Sequence, residues 1–169
     1  MTIHVVLYNP EIPQNTGNIM RTCAATNAEL HIIEPCGFRI DNRFLKRSSA
    51  NNLDKVDFKT YLDWEDFLSK NQGEFYFLTR YGKKSPDEFD FSDFNKDIYL
   101  VFGRESTGIP KEILKSHLDR CIRLPMREDV RSLNLANCVA IMVYEVLRQQ
   151  KYHSLSKVEV IKGENFIYD

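Results

Sequence analysis

The sequence predicts an α/β fold with a mostly parallel sheet flanked by helices, and three observations carry that expectation. Short apolar runs alternate along the chain with longer segments of helical periodicity. The runs read as strands buried on both faces, the pattern of parallel sheets. Strand and helix follow one another in turn rather than in blocks, as they do where parallel strands are joined by helical crossovers.

The first run, residues 3–8, reads as a buried strand. Residues 16–27 follow as a helix. Ile19, Met20, Cys23 and Ala24 make one apolar arc on it, Pro10 and Pro13 stiffen its approach, and Asn15 or Thr16 can cap it. A strand falls at 30–33, a short helix at 43–49 and another at 61–70; 75–78 and 98–102 are again buried strands. Residues 83–96 are polar, contain Pro86 and read as a loop. A helix follows at 110–117, with Pro110 suited to its first position. Residues 120–124 alternate more and look like a shorter, partly exposed strand. The last element, 132–150, is a long helix apolar over most of its circumference, with Asn134, Asn137, Glu145 and Arg148 on one narrow stripe. An ordinary surface helix is not apolar over so wide an arc, so either the sheet covers one side and a second subunit another, or the chain has an unusual core; the interface is the favoured reading.

At 169 residues, with 43% hydrophobic and 28% charged residues, the chain suits one soluble domain, residues 1–169, whose tail of about 151–169 is polar and loosely held. The net charge of −1 gives no overall attraction to nucleic acid, so any RNA contact must come from a local basic surface. Cys23, Cys36, Cys121 and Cys138 form no CxxC pair, and His4, His31, His117 and His153 are scattered, so reduced thiols and no metal are expected. No run approaches the ~20 apolar residues that span a bilayer. Met1-Thr2-Ile3-His4 lacks the basic start of a signal peptide. A cytoplasmic protein without membrane contact is expected.

Three segments hold the candidate functional residues. In residues 9–21 a strand runs into a helix, and Arg21 falls just outside the apolar arc, where it is either a solvated side chain or a guanidinium aimed at a cleft. In residues 101–110 a strand runs into Gly103, where the missing side chain serves a structural turn or leaves room for a ligand against the backbone. This is neither a Walker loop nor GxGxxG. Residues 124–137 lead into the long helix, with Ser132 and Asn134 at its start as caps or ligand contacts.

Taken in order, these segments resemble the motifs of the SPOUT methyltransferases, and among them the small tRNA (cytidine/uridine-2′-O)-methyltransferases acting at the wobble nucleotide. The matching residues are Asn9-Pro10-x-Ile12-Pro13-x-Asn15-Thr16-Gly17-Asn18-Ile19-x-Arg21, then Phe102-Gly103-x-Glu105-x-x-Gly108-Ile109-Pro110. They continue with Leu124-Pro125-Met126, Arg131-Ser132-x-Asn134-Leu135-x-Asn137 and Tyr144-Glu145. Leu30-His31-x-Ile33-Glu34-Pro35 and Phe77-Leu78-Thr79 also fit, so the likeness covers roughly residues 1–150. It implies a C-terminal trefoil knot, a homodimer, tRNA as substrate and S-adenosylmethionine as methyl donor. It implies that Leu78, Thr79, Gly103, Ile122, Leu124, Ser132 and Leu133 hold the donor, and that Arg21 acts at the ribose 2′-hydroxyl with Asn15, Glu105, Ser132 and Asn134 around it.

A guanidinium has no acceptor while charged, so Arg21 is expected to stabilise a developing alkoxide or clamp a phosphate rather than act as a base. Arg39, Arg43, Lys46 and Arg47 crowd a short stretch opposed only by Asp41 and form the expected RNA-facing patch, with Arg131 adding to it. The rival readings are ribose methylation of another RNA and a noncatalytic RNA-binding module on the same fold.

Overall fold

The computed structural model describes residues 2–41, 43–44 and 57–168. Strands β1 (Ile3–Tyr8), β2 (Glu29–Ile33), β3 (Phe58–Tyr61), β4 (Glu74–Leu78), β5 (Ile98–Phe102) and β6 (Cys121–Ile122) form one sheet of order β3-β2-β1-β5-β4-β6. Every neighbouring pair is parallel. Helices α1 (Pro13–Thr26) and α4 (Leu135–Gln149) cover one face; α2 (Trp64–Lys70) and α3 (Lys111–Lys115) lie on the other.

Alternate residues of each strand feed the two cores, which is why the runs are apolar throughout. Val5, Leu7, Leu30, Ile32, Leu100 and Phe102 pack with Ile19, Met20 and Cys23 of α1 and Val139, Met142, Val143 and Val146 of α4. Val6, Ile33, Phe77, Tyr99 and Val101 pack on the other side with Trp64, Phe67 and Leu114.

Four features differ from the sequence reading. Strand β3 was not expected: it is an edge strand in which only Tyr61 is buried, and Lys59 breaks the apolar pattern. Tyr61 ends that strand, and the helix assigned to 61–70 begins at Trp64, capped by the Asp63 carboxylate. The strand expected at 120–124 is only Cys121–Ile122, and both residues are buried rather than partly exposed. Within the expected loop 83–96, Pro86–Glu88 forms a single 3-10 turn.

A further difference concerns α4. Val143 and Leu147 are 0% and 4% exposed within this one chain, so they belong to its own core and not to a subunit interface. The exposed line of the helix is Asn137, Ile141, Tyr144 and Arg148, apolar at its centre, whereas Glu145 is drawn to Arg148 and Gln149. The segment between β4 and β5 holds the C-terminal part of the chain at two places. Its start bonds β6, through Thr79 N to Ile122 O at 2.9 Å and Arg123 N to Lys84 O at 2.9 Å. Its later part bonds the end of α4, through Gln149 Nε2 to Phe89 O at 3.2 Å and Gln150 Nε2 to Phe91 O at 3.0 Å. Beyond α4, Tyr152 and Leu155 rest on the core, and residues 156–168 are exposed. No helix among the described residues is long and apolar enough to cross a membrane.

Candidate active site

In an open parallel sheet the ligand crevice lies beyond the carboxyl ends of the strands where the chain order reverses. Here that place is between β1 and β5, from which β2 and β3 extend one way and β4 and β6 the other. The loops leaving these two strands carry the first two motifs, and a set of hydrogen bonds clasps them together. Glu105 accepts from Glu11 N at 2.9 Å, Ile12 N at 3.1 Å and Asn15 Nδ2 at 3.2 Å. Glu11 in return accepts from Ser106 N at 2.9 Å and Ser106 Oγ at 2.8 Å, contacts that hold its carboxyl below the usual carboxylate range. Arg104 donates through Nη2 to Asn9 Oδ1 at 2.6 Å and lies over the Tyr8 ring.

This clasp replaces the expected cap of α1. The helix begins at Pro13 with Ile12 as N-cap and no side-chain cap of its own; Asn15 and Thr16 are buried within it. The Glu105 carboxylate, from 94 residues away in sequence, reaches the amides leading into α1 and puts a negative charge at the positive end of the helix. Asn15 also accepts from Asn134 Nδ2 at 2.9 Å, while Asn134 Oδ1 caps α4 through Ala136 N and Asn137 N. Asn134, Asn15 and Glu105 thus form one chain that ties together the starts of α1 and α4, three of the expected site residues in contact. Ser132 is exposed on the segment just before Asn134.

At Gly103 the structure favours the turn, one of the two readings of the sequence, over space for a ligand. A Cβ there would sit 2.2 Å from the Gly108 carbonyl carbon and 2.3 Å from Ile109 N. The space is filled by the protein's own turn, closed by Gly108 N to Arg104 O at 2.9 Å, with Gly108 at φ +73. Room for a ligand is not what requires this glycine.

Arg21 is exposed on α1 and lines a groove of about 560 Å³ with Gln14, Asn18, Phe38, Arg39 and Arg43. Three guanidinium groups thus share one groove, and Asp41 is the acid in its lining. The Asp41 carboxylate accepts from Phe44 N at 2.8 Å, so it acts as a cap for the helical residues Arg43 and Phe44. The sequence showed Arg39 and Arg43 as a local basic stretch but not that Arg21 joins them. Lys46 and Arg47, with the rest of the helix expected at 43–49, lie outside the described residues. Arg131 is exposed ahead of α4 and does not line the groove.

Of the residues expected to hold a methyl donor, Leu78, Thr79, Ile122 and Leu124 lie at the ends of β4 and β6, whereas Gly103 follows β5 and Ser132 and Leu133 precede α4. Leu78 pairs with Ile122, and Leu78 and Leu124 are half-buried against the core. Leu133 is 38% exposed. The peptide N–H groups of Leu124 and Leu133 make no hydrogen bond to protein among the described residues. Half-open leucines beside free amides fit an adenine, whose faces are apolar and whose edge takes hydrogen bonds.

Two of the four histidines are not scattered. His4 Nδ1 and His31 Nε2 are 2.9 Å apart, and His31 Nδ1 lies 2.8 Å from the Tyr61 hydroxyl. Burial pushes the His31 pKa down to about 4 and lowers that of His4 as well, so both are neutral near pH 7. Glu29 lies 3.7 and 3.8 Å from the two rings, but Lys59 already neutralises it at 3.2 Å. Tyr99 stacks on His4 at 4.0 Å, so the pair is a polar link in an aromatic core, near the opposite ends of the strands from the clasp. The four thiols are free, and burial raises Cys23 to about 12 and Cys36 to about 11, which leaves them protonated and unreactive.

The profile of the SpoU rRNA Methylase family matches residues 2–144. The chain belongs to that family. A relative from Geobacillus stearothermophilus, whose name is that of a tRNA (cytidine(34)-2′-O)-methyltransferase, is 52% identical over 157 residues, 92% of this chain and 100% of its own. A crystal structure of an RNA methyltransferase from Bacillus anthracis superposes with a TM-score of 0.88 at 50% identity, covering 94% of this chain and 99% of the other. Another solved structure, described as giving insight into 2-OH methylation of C/U34 on tRNA, has a TM-score of 0.81 at 37% identity, covering 90% and 98%. In this SpoU-family chain the clasp and Asn134 join motifs on three separate segments, and the arginine groove adds residues that follow β2 to the first of them.

Proposed function

We propose that this chain is a cytoplasmic S-adenosylmethionine-dependent methyltransferase acting on the ribose 2′-hydroxyl of a tRNA nucleotide, the wobble cytidine or uridine of the anticodon. The observation that carries the reading is the convergence of Arg21, Arg39 and Arg43 in one groove on a helix held by the Asn15–Glu105–Asn134 chain. Full-length likeness to a relative named for that reaction supports it. The donor supplies an electrophilic methyl on a sulfonium, so the displacement needs no metal ion.

Each residue then has a role. Arg39 and Arg43 take flanking phosphates, with Lys46, Arg47 and Arg131 extending the basic surface. Arg21 stabilises the alkoxide left when the 2′-hydroxyl gives up its proton to water; that oxygen bonds the methyl carbon as the carbon–sulfur bond breaks, and the donor leaves as a neutral thioether. A fixed cation stabilises the alkoxide without reorganisation. Asn15, Asn134 and Glu105 are positioning residues, because their side-chain groups already bond one another and the start of α1. Ser132 is assigned to the donor or the ribose because it stands two residues before Asn134. Leu78, Leu124 and Leu133 pack on the adenine. Thr79, Gly103 and Ile122 shape the floor, since Thr79 N and Ile122 O bond each other.

The two places where residues 79–91 hold the C-terminal segment support the trefoil knot in a single domain spanning 1–169. Ile141 and Tyr144, exposed at 45% and 47% on α4, support a homodimer built on that helix. The test is to incubate the protein with isotopically labelled donor and either tRNA or ribosomal RNA, then digest each and identify nucleosides by mass spectrometry. A labelled 2′-O-methyl nucleoside mapping to position 34 is expected. Label in ribosomal RNA but not tRNA, or no transfer at all, contradicts the reading.

A further inference from the structure

The turn after β4 has features that neither the arginine groove nor the donor site uses. Its backbone is fixed: Gly82 N bonds Thr79 O at 3.2 Å, Tyr81 N bonds Thr79 Oγ1 at 3.3 Å, and Arg123 Nη1 donates to Arg80 O. A Cβ on Gly82 would meet the Ile122 carbonyl carbon at 2.7 Å, so the turn lies flat against β6. Its side chains point the other way. Arg80, Tyr81, Lys83 and Lys84 are exposed, Tyr81 at 74%, and Arg80 lies 5.8 Å from the Tyr81 ring centre.

None of Arg80, Lys83, Lys84 and Arg123 is in an ion pair among the described residues. Asp87 and Glu88 follow nearby, but both carboxylates are bound to Ser85. A rigid turn that holds an aromatic ring in water among like charges gains nothing for the fold. The same arrangement is what a single-stranded nucleic acid needs: a face on which a base stacks and cations for the phosphates on either side.

Because the sheet is parallel, this turn shares a rim with the clasp, and β4 is two strands from β1, about 10 Å. We infer that Arg80, Tyr81, Lys83 and Lys84, with Arg123 behind them, form a second RNA-contact surface. Tyr81 stacks an unpaired base of the anticodon loop, and the cations hold the phosphates beside it. The inference rests on the proposed tRNA reaction and names a part of the substrate surface that the groove does not contain.

The test uses the full chain and full-length tRNA, with binding followed by fluorescence anisotropy over a salt series. Tyr81→Ala should weaken tRNA binding about 5- to 150-fold, the range for one lost stacking contact, and raise the KM for tRNA in parallel. Tyr81→Phe should restore it. Lys83→Glu with Lys84→Glu should reduce the salt slope by about 2, one for each phosphate contact. Donor affinity and thermal unfolding should match the wild type in each variant. Unchanged tRNA affinity and KM in all of them overturns the inference while leaving the reaction intact. Joint loss of donor binding assigns the turn to the donor site and also overturns it. A wild type that neither binds nor methylates tRNA instead overturns the proposed function beneath it.

Discussion

At the scale of single residues, the structure changes what several motif positions are for. The loop glycine of the second motif is required by the backbone of Gly108 and Ile109, which returns over it. Gly103→Val should therefore act on folding. Forcing a branched side chain into a filled space costs about 1–3 kcal/mol or more, and the variant should unfold at lower temperature or be insoluble. Thermal unfolding beside calorimetric titration of donor decides this: normal melting with lost donor binding would restore the ligand-space reading. Glu105 is likewise explained by structure, since it caps a helix that has no cap in its own sequence. No local pattern could reveal that, because cap and helix are 94 residues apart. Arg21 was legible only as a residue at the margin of the apolar arc, either solvated or aimed at a cleft; in the structure it lines the groove.

At the scale of elements, strands buried on both faces were legible and the edge strand was not. β1 and β5 are covered on both faces, so their runs stand out from their surroundings. β3 at the edge buries only Tyr61, and composition does not mark it; β6 was expected at 120–124, but its two-residue length is set by pairing with β4. The long helix was recognised but its apolar breadth was misread. Most of it is the chain's own core, and the face left for a partner is narrow. Val143→Glu should therefore destroy the monomer fold, since an unpaired charge buried at 0% exposure costs at least about 3 kcal/mol. Ile141→Glu should leave the fold intact and yield a soluble monomer. Analytical ultracentrifugation with circular dichroism separates the two effects. A folded Ile141→Glu protein that remains dimeric, or a wild type that is monomeric at micromolar concentration, removes α4 as the dimer face.

At the scale of the whole molecule, the parallel architecture brings the ends of β1, β4, β5 and β6 to one rim, and with them segments from across the sequence. The sequence showed three motifs; the fold shows that two are clasped at the strand-order reversal and that the third is tied in through Asn134 and Asn15. The His4–His31 link was out of sight for the same reason, since only the pairing of β1 with β2 places residues 27 apart in contact. In the proposed reaction, this scaffold serves to present Arg21 to a ribose. The most direct measurement is the single-turnover rate of methyl transfer to saturating tRNA. Arg21→Ala should fold normally, because the side chain is exposed, and bind donor normally. Its rate should fall at least about 100-fold, the scale of losing one positioned donor at a developing oxyanion. Arg21→Lys should recover little, because an ammonium cannot reproduce the planar fork. A near-normal rate in Arg21→Ala would contradict the assignment and leave Arg21 as one surface charge among the three in the groove.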